Sequence, residues 1–458
     1  MVDDSPTLAR RLAEYAHGLA FEQLPGDAVH EVKRRVLDTF GCCYGAWPSE
    51  TAAKVRRIGV GCECRPGATV FGVEYAALPA LAAFATGAMS RYLDFNDTYL
   101  SLEPAHPSDN IAACLAAAEG KGAGGRALIT AIVLAYEVQC RLCDAASIRA
   151  RGWDHVAYGS FSTALAAGTL MGLDVDRLEQ AVNLAGVASP ALRQTRAGTL
   201  SEWKGIAFAN AARNGVFSAW CASTGLTGPA PIFEGRMGFW QQVSGEFALD
   251  VDGFGGVGRP FKIMDTCIKF WPAEYHSQSA IEAALSLRAD VGAPSNIRHI
   301  DVASFDAAVQ IIGSEPEKWR PTSRETADHS LPYCIAVALT DGEVGLAQFE
   351  PERYLDAAIW KLMERIRIYA EPELNARYPE GIPNRLEVAT WQGAVHTREV
   401  TFPRGHARNP MTDEEVVEKY HRLAEPIIGA ARAEALRELV WRLEDVDPRE
   451  LMAATRVP

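Results

Sequence analysis

The sequence predicts a mostly α-helical protein, in which both chain ends form a large all-helical domain and a smaller α+β domain is inserted between them. From residue 7 to about residue 225, and again after residue 410, apolar residues recur at helical spacing. Between these parts, β-branched stretches alternate as strands do. The 458 residues also exceed the roughly 250–300 that one core accommodates. We place the helical domain at residues 1–265 and 401–458 and the α+β domain at residues 266–400.

The helical part is rich in alanine, leucine and glycine, and small residues allow helices to pack closely. Serine, aspartate or proline begins several segments, and glycine ends several. The segments predicted as helices are Ala28–Thr39, Pro79–Arg91, Asn110–Ala118, Arg126–Ala145, Phe161–Gly172, Arg177–Ala185, Thr412–Leu423 and Ala430–Leu443.

In the inserted part, Ile297–Phe305 has the alternation of a strand. Glu387–Trp391 and Val395–Val400 predict a strand pair around a Gln-Gly turn. Helices are predicted at Ser277–Leu287 and Tyr333–Thr340. The glycine-rich stretch 253–258 follows no buried strand and leads into no good helix, so we interpret it as a loop and not as a nucleotide-binding motif.

Charge and hydropathy exclude several classes of protein. Lysine and arginine number 45 against 58 acidic residues, a net charge of −13 that repels a phosphate backbone. The first twenty residues lack the apolar core of a signal peptide, and the longest apolar stretches, such as Ala76–Ala88, fall short of the roughly 20 residues that span a bilayer. We therefore expect a cytoplasmic protein that binds neither nucleic acid nor a membrane.

The ten cysteines are expected to be reduced thiols. Cys140 and Cys143 form a C-x-x-C within a predicted helix, and Cys62 and Cys64 lie in a predicted loop. Neither pair has the nearby second pair of a structural zinc site or the third thiolate of an iron–sulfur cluster. We expect isolated thiols and no cofactor, and a metal site is the alternative.

The most informative segment is RYLDFNDTYLSLEPAHPSDN, residues 91–110. Short polar side chains follow an apolar stretch, and a histidine lies between an alanine and a proline. The residues in question are Asp94, Asn96, Asp97, Thr98 and His106. Taken alone, they are explained at least as well by helix capping on both sides of a loop.

The whole string, however, resembles the D-F-[ND]-D-T…H-P-S-[DG] signature of the MmgE/PrpD family, which includes 2-methylcitrate dehydratases and cis-aconitate decarboxylases. Further segments resemble motifs of that family in the same order, between about residues 20 and 340. They are Arg34–Gly45, Ser201–Ala219, Gly228–Gly245, Lys269–Gln278 and Thr326–Ala336. The last hundred residues add little to the resemblance.

The resemblance implies a helical domain with an α+β domain, a homodimer, and catalysis without metal or nucleotide. It also implies a set of active-site positions, of which His155 is supported only by a G-x-x-H pattern. They are Asp94, Thr98, His106, His155, Lys204, Lys269, His276 and Tyr333. Because these residues come from both predicted domains, we expect the active site to lie between the domains.

The residue types suit a carboxylic acid substrate. Cations and donors bind carboxylates, and dehydration needs a base beside a carboxylate and an acid for the departing hydroxyl. We assign catalysis to His106, Lys204, Asp94 and Tyr333, and substrate binding to Thr98, His155, Lys269 and His276. Structural alternatives stay open: Lys204 extends to solvent, Tyr333 is an ordinary core residue, and Asp328 with His329 caps a helix.

The resemblance implies a hydro-lyase that dehydrates 2-methylcitrate, or a close citrate-like tricarboxylate, to the cis-alkene acid. Asn96, Asp97 and Thr98, followed by Glu103 before His106, resemble the dehydratase branch more than the decarboxylase branch. A cis-aconitate-type decarboxylase or an epimerase acting on a related dicarboxylate is the alternative. A non-catalytic carboxylate-binding protein of the same fold is the third, and the joint presence of the histidines, lysines and tyrosine argues against it.

Overall fold

The computed structural model describes residues 6–198, 200–256 and 258–458 and divides the chain into two compact units. Unit 1 comprises the chain up to Arg196, Trp203–Thr266 and Thr412–Pro458. Unit 2 comprises Ala197–Glu202 and Cys267–Met411. The glycine-rich stretch at 253–258 contains Val257, which lies outside the described residues.

The protein is mostly α-helical, as predicted. The helices are α1 (Leu8–Gly18), α2 (Gly26–Ala46), α3 (Glu50–Val60), α4 (Pro79–Tyr92), α5 (Ile111–Lys121), α6 (Gly125–Ala145), α7 (Val156–Leu170), α8 (Val175–Ala188), α9 (Trp203–Ser223), α10 (Gln278–Val291), α11 (Asp306–Ala308), α12 (Arg324–Ala327), α13 (Leu331–Asp341), α14 (Pro351–Tyr354), α15 (Ala357–Met363), α16 (Pro372–Asn375), α17 (Asp413–Ile428), α18 (Ala430–Trp441) and α19 (Pro448–Ala454). The strands are β1 (Glu63–Thr69), β2 (Ala76–Ala77), β3 (Ile297–Ser304), β4 (Ile366–Ala370), β5 (Asn384–Thr390) and β6 (Val395–Val400).

Capping residues in the sequence explain where several helices begin. Asp174 accepts a hydrogen bond from the N–H of Arg177 at 2.9 Å, which satisfies a donor in the first turn of α8. Thr412 and Glu415 form a capping box on α17, since each side chain bonds the other's backbone N–H. These bonds stabilise helix ends whose first N–H groups have no partner within the helix.

Glycines allow α7 and α9 to pack closely in the core of unit 1. A Cβ atom at Gly215 would lie 1.9 Å from the hydroxyl of Thr163, and one at Gly159 would lie 2.3 Å from the ring of Phe208. Neither space admits a larger side chain without movement of a neighbour. This contact fixes α9, which carries Lys204, against α7, which begins directly after His155.

Helix α17 returns from the C-terminal part of the chain to pack on α2 within unit 1. Lys419 Nζ lies 2.6 Å from the Asp38 carboxylate, and both residues are 1% exposed. The same Nζ donates to the carbonyl of Phe95 at 2.7 Å. Burial raises the pKa of Asp38, and the positive charge of Lys419 opposes that shift.

Unit 2 contains a four-stranded sheet in the order β4-β3-β5-β6. Strand β3 pairs parallel to β4 and antiparallel to β5, which pairs antiparallel to β6 across a turn that includes Gly393 (φ 87°). The predicted strands at β3, β5 and β6 are therefore confirmed. Strand β4 was not predicted, because its short IRIYA sequence follows a helix without a strong turn signal.

The prediction of a loop at Cys64 is wrong, because Cys64 lies in β1, which pairs with β2. A proline and a glycine inside β1 conceal the strand in the sequence. The ten cysteines, which all lie within the described residues, form no disulfide bond, and Cys140 and Cys143 are buried. Among residues 6–198, 200–256 and 258–458, no helix is both long and apolar enough to cross a membrane.

Candidate functional site

Asp94 follows the end of α4 and has a left-handed backbone conformation, with φ of 51°. This conformation is uncommon outside glycine, which is the usual residue at such a position after a helix. Asp94 is nonetheless buried, at 1% exposure. A buried carboxylate kept in a rare conformation indicates that the carboxylate itself is needed here.

Two buried cations hold the Asp94 carboxylate. Arg91, in the last turn of α4, donates to Oδ1, and Lys204 Nζ, in the first turn of α9, lies 3.2 Å from Oδ2. Arg91 and Lys204 are each 3% exposed, so Lys204 does not extend to solvent as the alternative interpretation requires. With Asp94 ionised, the three side chains carry one net positive charge, which suits an anionic ligand.

The hydrogen bonds of His106 define its tautomer. Its Nε2 lies 2.8 Å from a guanidinium nitrogen of Arg91, and its Nδ1 lies 2.8 Å from the backbone carbonyl of Asp97. A guanidinium donates and does not accept hydrogen bonds, so Nε2 is the acceptor and Nδ1 carries the proton. In this arrangement, His106 is neutral and presents the lone pair of Nε2 to the Arg91 side of the site.

His155 lies beside His106, with ring centroids 5.9 Å apart. Its Nδ1 is 3.0 Å from a carboxylate oxygen of Asp154, whose other oxygen is 3.0 Å from Nε of Arg196. The His155 Nε2 is buried and forms no hydrogen bond with any residue that the structure describes. Burial lowers the pKa of His155, which favours the neutral imidazole.

The loop between Asp94 and His106 is fixed by buried polar contacts. Asp97 accepts hydrogen bonds from the N–H of Ser108 at 2.9 Å and from the hydroxyl of Tyr136 at 2.7 Å, and Arg35 lies 3.5 Å away. Asn96 donates to Ser108 and to Asp109. The side chains of Asn96 and Asp97 therefore hold this loop in place.

Two further loop residues have structural partners. The Thr98 hydroxyl donates to the carbonyl of Ala105 at 3.1 Å, beside the backbone bridge between Tyr99 and Ala105. Glu103 accepts from Ser147 and from the backbone N–H groups of residues 148 and 149. Glu103, one of the residues that resemble the dehydratase branch, thus fixes the turn after α6.

Asp109 adds a buried acid that titrates near neutrality. Burial raises its pKa to about 7, while the positive charge of Arg91 and the hydrogen bond from Asn96 act in the opposite direction. Its Oδ2 lies 3.9 Å from Nε of Arg91. The charge of this part of unit 1 therefore changes between pH 6 and pH 8.

Unit 2 holds Lys269 and His276, which are 1% and 2% exposed. His276 Nδ1 lies 2.8 Å from Glu274, and its Nε2 lies 3.4 Å from the hydroxyl of Tyr378. Burial alone would raise the pKa of Glu274, but contact with His276 and the charges of His329 and Lys269 lower it to about 2. These residues form a polar group in which an ionised carboxylate lies beside the imidazole of His276.

Tyr333 lies in the core of unit 2, where it is fully buried at 0% exposure. Its hydroxyl donates to the backbone carbonyl of Gln348, and its ring lies 5.9 Å from that of Phe349. This is the geometry of a core tyrosine with a satisfied hydroxyl. Asp328 ends α12 and accepts from His329 Nδ1 at 2.5 Å, but the side chain that caps α13 is that of Ser330, which accepts from the N–H of Tyr333.

Several residues of these groups were not predicted from the sequence. Arg91 is one helical turn before Asp94, and Asp154 directly precedes His155, so both were detectable as charged neighbours of assigned residues. Glu274 is two residues before His276. Arg196 and Asp109 carried no comparable signal, because Arg196 is 42 residues from its partner Asp154 and Asp109 resembled a capping residue.

Comparison with known proteins assigns the family. The MmgE/PrpD N-terminal domain model matches residues 10–252, and the MmgE/PrpD C-terminal domain model matches residues 271–445. The chain belongs to the MmgE/PrpD family. The resemblance noted in the sequence is confirmed, and it extends beyond residue 340, where the motifs gave little support.

Individual members of the family are similar over most of the chain. A 2-methylcitrate dehydratase of Salmonella typhimurium is 32% identical over 402 residues, which are 81% of each chain. The corresponding enzyme of Cupriavidus necator is 30% identical over 85% of this chain and 84% of its own. A cis-aconitate decarboxylase-like protein of Aspergillus oryzae is 26% identical over 99% of this chain and 98% of its own.

Proposed function

We propose that the protein is a hydro-lyase that removes water from 2-methylcitrate, or a closely similar tricarboxylate, and forms the cis-alkene acid. The observation that carries this proposal is the buried group of Arg91, Asp94 and Lys204 beside His106 and His155. The group combines positive charge for a carboxylate with imidazoles for proton transfer. The relatives named 2-methylcitrate dehydratase supply the class of substrate.

In the proposed reaction, Arg91 and Lys204 bind a substrate carboxylate and stabilise the negative charge that develops when the neighbouring carbon loses a proton. An imidazole accepts that proton. The electron pair of the C–H bond forms the double bond, and the hydroxyl takes a proton from a general acid and leaves as water. We propose His106 and Lys204 for these transfers and Asp94 to orient Lys204.

The remaining predicted residues take supporting roles in this proposal. Thr98, His155, Lys269 and His276 contribute to substrate binding. Tyr333, which the sequence assigned to catalysis, is given a packing role instead, because its hydroxyl donates to the carbonyl of Gln348. We propose that no metal or nucleotide participates and that the protein is a homodimer. Light scattering at assay concentration is expected to give twice the 49.7 kDa mass of one chain, and a single-chain mass would refute the dimer.

Decarboxylation is the second candidate, because the Aspergillus oryzae relative named for that activity matches nearly the whole chain. It uses the same carboxylate binding and proton transfer but breaks a carbon–carbon bond. An epimerase acting on a related acid would return the proton to the same carbon.

Purified protein should be assayed against 2-methylcitrate, citrate, cis-aconitate and related dicarboxylates. Appearance of alkene absorbance without carbon dioxide supports the hydro-lyase, and carbon dioxide release supports the decarboxylase. Epimerisation is detected as exchange of substrate hydrogen with deuterated water. Absence of all three signals, with ligand binding retained, would support the non-catalytic alternative.

A further inference from the structure

We propose that Asp154 and Arg196 are positioning residues that hold His155 with its proton on Nδ1, so that Nε2 is the proton acceptor of the reaction. This inference rests on the proposed function and deepens it, because it assigns the base. It moves His155 from substrate binding to proton abstraction, in place of His106, so that His106 and Lys204 are left to stabilise the developing charge and to protonate the departing hydroxyl. Four features of unit 1 support it.

The first feature is the ion-pair contact between Asp154 and His155. The carboxylate lies 3.0 Å from Nδ1, and Asp154 is 1% exposed. Burial would raise the pKa of Asp154, but the charge of Arg196 and the contact with His155 lower it below its usual range. An ionised carboxylate only accepts hydrogen bonds, so Nδ1 carries the proton and Nε2 has the lone pair.

The second feature is the backbone that sets Arg196 against Asp154. The N–H of Asp154 donates to the carbonyl of Ala191 at 2.7 Å, and the N–H of Arg193 donates to the carbonyl of Gly152 at 2.9 Å. These bonds join the segment before α7 to the short turn that ends in Arg196. The guanidinium therefore meets the carboxylate through fixed backbone, at 3.0 Å from Nε to Oδ2.

The third feature is the position of Nε2. His155 is 7% exposed, and Nε2 makes no hydrogen bond within the described part of the chain. A buried polar atom normally has a partner, and exceptions often have a catalytic role. The ring centroids of His155 and His106 are 5.9 Å apart, and His106 contacts Arg91, which holds Asp94 together with Lys204. A substrate carboxylate bound by those cations would place its neighbouring C–H group near both imidazoles.

The fourth feature is the division of hydrogen bonds between the two histidines. Nε2 of His106 already accepts from Arg91, whereas Nε2 of His155 accepts from none of the described residues. Proton abstraction by Nε2 of His155 needs no bond to be broken first. The electron pair of the C–H bond passes into the double bond, and the imidazolium that forms is stabilised by Asp154.

The charges around His155 provide a specific test. Burial and the positive charge of Arg196 lower the pKa of His155, whereas the negative charges of Asp154 and Glu103 raise it. His106 is the other titratable ring facing it. The acid limb of the pH profile of kcat/KM reports the pKa of the base in the free enzyme. Asp154→Asn should therefore move that limb to lower pH, and Arg196→Gln should move it to higher pH.

The magnitudes should also differ between the two variants. Asp154→Asn should lower kcat by roughly 10²-fold or more, because an amide does not fix the tautomer. Arg196→Gln should lower kcat less, and Arg196→Lys should return the limb toward its original pH. Arg193→Gln is the matched control, because it lies in the same turn and its side chain forms no hydrogen bond or ion pair with described residues.

Circular dichroism and melting temperature must show that each variant is folded. Acid limbs that stay in place, or that move the same way in both variants, overturn the inference, as does a change in Arg193→Gln equal to that in Arg196→Gln. If the native protein turns over none of the acids, the proposed function fails by itself. The tautomer of His155, measured by ¹⁵N NMR with His155→Gln for assignment, then decides the inference: a proton on Nε2 would reject it.

Discussion

The left-handed conformation of Asp94 costs about 1 kcal/mol relative to glycine, yet the position holds an aspartate. Its carboxylate meets Arg91 and Lys204 at the junction of α4 and α9. At this scale, the sequence indicated Asp94, His106 and Lys204 because a signature surrounds them. It did not indicate Arg196, because the pairing of two distant loops brings Arg196 to Asp154.

Replacement of the assigned acid/base residues should separate chemistry from stability. Lys204→Met and His106→Gln should each lower the turnover number by roughly 10²-fold or more, since each removes a proton-transfer or charge-stabilising group. Melting temperatures should change little, because Arg91 still pairs with Asp94. Lys121→Met, at an exposed lysine of α5, is the control. Normal turnover in folded Lys204→Met would eliminate the role assigned to Lys204.

Asp109 should make stability depend on pH. Its pKa is about 7 in the folded protein against 3.8 for the ordinary group, so the folded state retains a proton that the unfolded chain has lost. Its contribution is therefore fully present below about pH 4 and is lost as pH rises toward 7. Asparagine does not titrate, so Asp109→Asn removes this loss. Between pH 5 and pH 8, the free energy of unfolding of the variant should therefore gain roughly 1 kcal/mol or more relative to that of the native protein.

Urea unfolding at pH 5 and pH 8 measures this difference. Asp176→Asn, at an exposed carboxylate, is the control and should show no comparable gain. An Asp109→Asn difference that is the same at both pH values would contradict the pKa assigned to Asp109.

At the scale of elements, the helices were predictable because their apolar periodicity is long and their caps are encoded locally, as at Asp174 and Thr412. Short elements were less predictable. Strand β1 contains a proline and a glycine, and β4 has five residues, so tertiary pairing decides their structure. The polar group of unit 2 was only partly predictable, because Glu274 is two residues from His276 but Tyr378 is 102 residues away.

The contact between α2 and α17 should behave as a coupled buried pair. Asp38→Leu or Lys419→Met alone should lower the free energy of unfolding by roughly 3–5 kcal/mol, because each leaves one buried charge without its main partner. The double variant should cost less than the sum of the two. The exposed pair of Arg10 and Asp176 should show coupling of only about 0–1 kcal/mol. Strict additivity at Asp38 and Lys419 would show that the pair is not coupled.

At the scale of the whole molecule, the proposed chemistry is expected to be independent of metal and of oxygen. Activity should survive exhaustive chelation and purification in air, because Cys140 and Cys143 are buried within one helix and their pKa values are raised by burial. Metal analysis and turnover should be measured on the same sample. Stoichiometric iron or zinc whose removal abolishes turnover would contradict this prediction.

The pairing of α2 with α17 also concerns the order in which the chain is synthesised. Phe95 and Lys419, which share a hydrogen bond, are 324 residues apart. At about 5–20 residues per second, the ribosome makes Lys419 roughly 15–65 s after Phe95. During that interval α2 has emerged without the helix that covers it, and the sheet of unit 2, which ends at Val400, is completed before α17 is made. The nascent chain is therefore expected to present an apolar face of α2 to chaperones until α17 has been made.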